Sequence, residues 1–192
     1  MSLNTSLYTV KAVVILDNEA KRLYAKYFKP PHSAEDATAS PFQTLKSQQS
    51  FETALFKKTH KINSDIILFD NHIVLYKEFA DVVIYLVGDL NENEVLLMSC
   101  FSGLVEAFNI LLKNALDKKS ITENYDMVVL AIDETIDDGI ILETDSAVIA
   151  SRVTGPPSAD AINLAKIDLS EKGLFSAFNF ARAKIGERLQ QL

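Results

Sequence analysis

The order of apolar segments predicts an α+β fold: a five-stranded antiparallel sheet sandwiched by helices, with a further amphipathic helix at the C-terminal end. Three observations carry this reading. Two Val/Ile-rich or aromatic runs open the chain around a short polar turn. Three more runs between Asp65 and Val87 are separated by only two residues each, room for nothing but antiparallel hairpins. Between and after these groups, apolar residues recur at three- and four-residue spacing, the period of a helix with one buried face.

Taken in order, Tyr8 to Leu16 reads as a strand, Asp17-Asn18-Glu19-Ala20 as a turn, and Arg22 to Phe28 as the returning strand. Pro30-Pro31 to Ala39 is a loop of small residues. Ser40, Pro41 and Gln43 together supply an N-cap, a proline at the first helical position and a capping-box partner. They predict a helix to about Lys61 with Phe42, Leu45, Phe51, Ala54 and Leu55 inward. Asp65–Phe69, His72–Phe79 and Val82–Val87 are the next strands, turning at Asp70-Asn71 and Ala80-Asp81. Asn91 and Glu94 open a second long helix whose stripe is Leu97, Phe101, Leu104, Val105, Phe108, Leu111 and Leu112.

Ser120 and Glu123 have the spacing of a capping box. Behind them Ile121, Tyr125, Val128, Val129, Ile132 and Ile136 keep helical period, and Gly139 suits a helix stop. Ile140 to Leu142 is a brief apolar run, and Ser146 to Val153 a short helix. Gly155-Pro156-Pro157 then breaks the chain. Past a polar linker, Leu174, Phe178, Ala181, Ile185 and Leu189 make the amphipathic C-terminal helix. The expected organisation is a domain over 1–153, a linker over 154–173 and the helix over 174–192.

Composition narrows the function. A net charge of −7 and a pI near 5.0 exclude a nucleic-acid partner, which would demand clustered Lys and Arg. The single cysteine, Cys100, lies in an apolar helical pattern and reads as core. The polar start and the ending of the first apolar run at Asp17 lack a signal peptide's pattern. No run of about 18 apolar residues predicts a membrane span.

Five carboxylates fall within twelve positions from Asp133, namely Asp133, Glu134, Asp137, Asp138 and Glu143. A calcium loop beginning at Asp133 would need glycine where Asp138 stands and a glutamate where Thr144 stands, so the spacing fails. Asp133 and Asp137, four apart on the expected helix, are the remaining hydrolytic pair, although charges on a solvated face explain them as well. His32, His60 and His72 share no spacing. No nucleophile elbow, paired cysteines or glycine-rich phosphate loop occurs. No catalytic residue, cofactor or metal is expected.

These elements, in this order, resemble the longin-like small chains of clathrin-adaptor and coatomer complexes, from about Tyr8 to Val153. The resemblance rests on Ala12-Val13-Val14-Ile15-Leu16-Asp17, on Tyr24-Ala25-Lys26-Tyr27 and on Leu75-Tyr76-Lys77-Glu78. Above all it rests on Glu123-Asn124-Tyr125-Asp126-Met127 through Ile140-Ile141-Leu142-Glu143-Thr144-Asp145. Adaptor chains carry a shorter form of that last motif. The long form and the extension past Pro157 resemble the coatomer branch.

The resemblance implies a longin-like (SNARE-like) fold and a non-catalytic subunit of the COPI vesicle coat. It further implies a heterodimer with the trunk of the coatomer gamma subunit, inside a heptamer that meets the Arf GTPase and the Golgi membrane indirectly. The setting would be cytoplasmic, peripheral on Golgi membranes and COPI vesicles, in Golgi-to-ER retrograde and intra-Golgi protein transport. A stand-alone regulatory longin module is the alternative.

Partner-contact candidates are Leu97, Phe101, Ile140 and Ile141. Some adaptor small chains bind acidic dileucine signals. The corresponding positions here are Ala80, Val82, Val105, Ala115, Lys118 and Ser120, with Leu23 where a basic residue belongs. Lysine in an apolar slot predicts no dileucine binding.

Overall fold

The computed structural model describes residues 6–29, 42–62 and 64–155. Strands β1 (Val10–Asp17), β2 (Arg22–Tyr27), β3 (Ile66–Phe69), β4 (His72–Glu78) and β5 (Val82–Asp89) form one sheet in the order β2-β1-β5-β4-β3. Every neighbour is antiparallel, as the short turns require. β1 and β5, the most apolar strands, take the central places and are almost wholly buried. At the β3–β4 turn Asp70 and Asn71 both have positive φ, 47° and 58°, the two-residue geometry that matches strand twist.

Helix α1 (Leu45–Thr59) covers one face of the sheet. There Phe51, Leu55 and Phe56 pack with Val14, Leu16, Val74, Tyr85 and Val87. The other face carries α2 (Glu94–Leu111), α3 (Lys118–Glu123), α4 (Tyr125–Thr135) and α5 (Ser146–Thr154), which share a core with Val13, Ile15, Leu75, Ile84 and Leu86. The expected sandwich is thus formed with the sheet as its middle layer. α2 is long and apolar enough to cross a membrane by length and composition. Its apolarity is spent in this core: Leu97, Cys100, Leu104, Ala107 and Phe108 are fully buried. Each large side chain so placed contributes about 1.5–3 kcal/mol.

Two helix starts differ from expectation. α1 begins after Thr44, whose side chain accepts from the Ser47 N–H while the Ser47 hydroxyl accepts from the Thr44 N–H. Phe42 precedes the helix and is buried beneath it; Ser40 and Pro41 lie outside the described residues. The inner face is also rotated. Leu45 and Ala54 are exposed, while Glu52 and Thr59 are buried because Arg22 and Tyr85 supply polar partners. α2 starts at Asn93, whose side chain caps the N–H groups of Val95 and Leu96.

The helix expected from Ser120 to Gly139 is three elements. Asp117, not Ser120, is the first cap, accepting from the Ser120 N–H at 2.7 Å. The helix breaks at Asn124, and α4 ends at Thr135. Beyond it β6 (Ile136–Asp137) and β7 (Ile140–Ile141) pair as a hairpin around Asp138 and Gly139, with φ of 46° and 89°. Gly139 also lies against β1, its carbonyl accepting from the Val10 N–H at 2.9 Å. A Cβ there would stand 2.5 Å from the Val10 carbonyl oxygen.

The compact unit built from these elements is Met1–Thr154. Most of the expected linker and all of the C-terminal helix lie outside the described residues.

Candidate functional site

The acidic run is dispersed by the fold. Asp133 leaves α4 toward β2, where Lys26 Nζ lies 2.7 Å away. Glu134 and Glu143 both reach Arg152 of α5, at 3.7 and 3.5 Å. The Glu143 carboxylate accepts from the backbone N–H groups of Asp145 and Thr144, which with Arg152 hold it below the usual carboxylate range. Asp137 and Asp138 belong to the hairpin, so Asp133 and Asp137 do not share a helical face. Among the described residues no three His, Cys, Asp or Glu side chains converge as a metal site. The acids at the end of α4, unfavourable for its dipole, answer cations on neighbouring elements.

The described histidines, His60 and His72, serve packing; His32 lies outside the described residues. His60 stacks on Phe56 at 4.8 Å, with Nδ1 2.9 Å from Glu78 Oε1. His72 sits by the rings of Phe42 and Phe51. Cys100 is fully buried, which pushes its thiol up to about 12.

Among the positions that correspond to the adaptor signal pocket, Lys118 is held in a charge pair. Lys118 Nζ lies 2.8 Å from Asp17 Oδ2, and the Asp17 side chain is wholly buried. Asp17 Oδ1 accepts from the N–H groups of Glu19 and Lys21, at 2.9 and 2.8 Å. The Lys118 N–H donates to Asp81 in the β4–β5 turn. Three chain segments therefore meet at this point. Val82 and Val105 are buried, Ala115 is exposed, and Leu23 packs half-buried on the core.

The partner-contact candidates separate into two places. Leu97 and Phe101 are buried in the chain's own core, at 0% and 4% exposure. Phe101 nevertheless shows its rim to a surface groove of about 350 Å³ between α2 and the β3–β4 edge, lined also by Met98, Val105, Lys77 and Asp65. Beside it lie Ile66 and Leu68 of β3. Their strand partners Leu75 and Ile73 point into the α2-side core, so Ile66 and Leu68 share that sheet face. α2 does not reach over them, and they stand 40% and 63% exposed. Nothing in the sequence pattern distinguishes these two from covered strand residues; the only signal is that β3 is short and terminal in the sheet.

Ile140 and Ile141 lie half-buried on the hairpin, where Ile140 bridges Tyr8. Leu142, which follows them, is mostly exposed, as is Leu7 beside that bridge.

Residues 9–156 match the clathrin adaptor complex small chain family. The chain is 51% identical over 186 residues to coatomer subunit zeta of Saccharomyces cerevisiae, covering 97% of each. It is 38% identical over 151 residues to human coatomer subunit zeta-1, covering 79% of this chain and 80% of that one. Probable coatomer subunit zeta-A of Dictyostelium discoideum is 37% identical over 189 residues, covering 94% of this chain and all of that one. A chain from a homology model of the full-length AP-3 complex in a stretched open conformation superposes with a TM-score of 0.54, covering 85% of this chain and 98% of that chain. At 16% identity that likeness concerns the fold alone. With the sandwich, the dispersed acids and the long hairpin motif, these similarities show that the chain belongs to the clathrin adaptor complex small chain family, among its coatomer zeta members.

Proposed function

We propose that this chain, a non-catalytic subunit of the COPI coat in vesicle transport, pairs one-to-one with the trunk of the coatomer gamma subunit. In this reading it works at the cytoplasmic face of Golgi membranes, in Golgi-to-ER retrograde and intra-Golgi transport, and the assembled heptamer brings it to Arf and the membrane. The observation that carries the pairing is the apolar surface at the free sheet edge. Ile66 and Leu68 are exposed beside a groove walled by Met98, Phe101 and Val105, on a strand with no outer neighbour among the described residues. Exposed apolar residues grouped on one edge mark an interaction site more than residues scattered singly do, and an open strand edge invites pairing. Phe101 contributes the groove wall, while Ile140 and Ile141 with Leu142 would form a second contact on the hairpin.

Co-expression with a gamma trunk, followed by size-exclusion chromatography with light scattering, tests this. A one-to-one complex that Leu68→Asp abolishes supports the assignment of the edge. A complex that Leu68→Asp leaves intact moves the contact to the hairpin. No complex at all removes the pairing and favours a free-standing longin module.

A further inference from the structure

The cations of this acidic chain are distributed unevenly. Lys11, Arg22, Lys26, Lys118, Lys119 and Arg152 each have a carboxylate within 4.0 Å. Lys46, Lys57 and Lys58 of α1 have none among the described residues, and their side chains face outward. The one acid of α1, Glu52, is turned inward and bound by Arg22. Lys61 follows the helix; Glu78, the acid beside it, is engaged by His60 and by the Lys61 N–H. The other cations without a carboxylate, Lys21, Lys29, Lys77 and Lys113, are scattered over separate elements.

We propose that the outer face of α1 docks on an anionic membrane surface. Lys46 and Lys57 stand about 16 Å apart on one stripe of the helix. Between them lie only Gln49, Ser50, Thr53 and Ala54, short uncharged residues that form a shallow depression. Lys46 and Lys57 border this floor at its two ends. Leu45, 60% exposed, opens the helix about 100° round from this stripe, and Ile62, 51% exposed, follows its end. The net charge of −7 does not oppose this orientation, because acids on the far side lie beyond the screening length of about 8 Å at physiological salt. A basic face over a shallow floor fits a lipid plane better than an acidic peptide, which would find no groove deep enough to hold it.

The surface is separate from the β3 edge, so its test is independent of the pairing with the large subunit. The full chain would be sedimented with vesicles of phosphatidylcholine alone and with phosphatidylserine added. Binding only to the serine lipid, weakened by salt and falling about fivefold for each lysine neutralised in Lys46→Gln, Lys57→Gln and Lys58→Gln, is the expected result. These side chains have no carboxylate partner among the described residues, so the variants keep their circular dichroism and Tm. The chain has no tryptophan, and Ser50→Trp, on the stripe itself, supplies a second reading: its emission shifts to the blue on serine-lipid vesicles. Failure to bind, equal binding by the triple variant, or binding lost only when Lys184 and Arg188 are reversed would each overturn the proposal.

Discussion

Lys118 and Asp17, 101 positions apart in the chain, meet at 2.8 Å, and the carboxylate they share with two backbone N–H groups is completely shielded from water. Burial pushes the Asp17 pKa up, but Lys118 and the N–H groups of Lys21 and Glu19 outweigh it and hold it below its ordinary value. A carboxyl lowered in the folded state contributes stability that is complete above its unfolded value. That contribution is lost as pH falls through the folded one. Asp17→Asn therefore costs about 1–3 kcal/mol at neutral pH and flattens the loss of stability below about pH 4, measured by urea unfolding across acid pH.

The same pair predicts a specificity. A dileucine peptide titrated against the chain co-expressed with a coatomer gamma trunk gives no calorimetric signal, because a charged lysine stands where the pocket needs an apolar wall. Micromolar binding abolished by Val105→Asp would contradict this.

The Glu52 carboxylate, 3% exposed, accepts two hydrogen bonds from Arg22 and one from Tyr27. Arg22→Met strands a buried charge and costs about 2–4 kcal/mol, whereas Tyr27→Phe costs about 1 kcal/mol. Thermal unfolding of both variants checks the order.

Gly103 of α2 lies directly against the Thr144 carbonyl, where a Cβ has no room. Gly103→Ala forces α2 away from the segment leading into α5 and lowers stability by about 1–3 kcal/mol. Denaturant melts of the variant measure it.

Cys100, fully buried with its thiol pushed to about 12, stays unmodified by a neutral-pH thiol reagent in the native chain and reacts on unfolding.

The sheet was legible because its hairpins leave no other connection. Asp70-Asn71 and Ala80-Asp81 allow only antiparallel returns, and all five strands lie within two residues of their expected bounds. Helix phase was less legible. Glu52 and Thr59 are polar yet buried, because Arg22 and Tyr27 receive the one and Tyr85 the other, partners distant in sequence. The region after Leu116 misled for a different reason. Ser120 and Glu123 have capping-box spacing, but Asp117 caps first, and helical period runs on from Val128 through Ile136 into a hairpin. The Asp138-Gly139 pair carried the turn signal that this period obscured. The candidate surface was half legible. Leu97 and Phe101 follow from the α2 stripe, and such a stripe marks burial without saying whether the neighbour is this chain or another. Exposure of Ile66 and Leu68 depends on where α2 stops short of β3, which no local pattern encodes.

The most direct test of the account is light scattering on the chain co-expressed with a coatomer gamma trunk, beside its Ile66→Asp, Leu68→Asp variant. The account predicts a stable one-to-one complex for the natural chain and separate elution for the variant, which keeps its own fold because both side chains are exposed. A natural chain eluting alone as a folded monomer would contradict it.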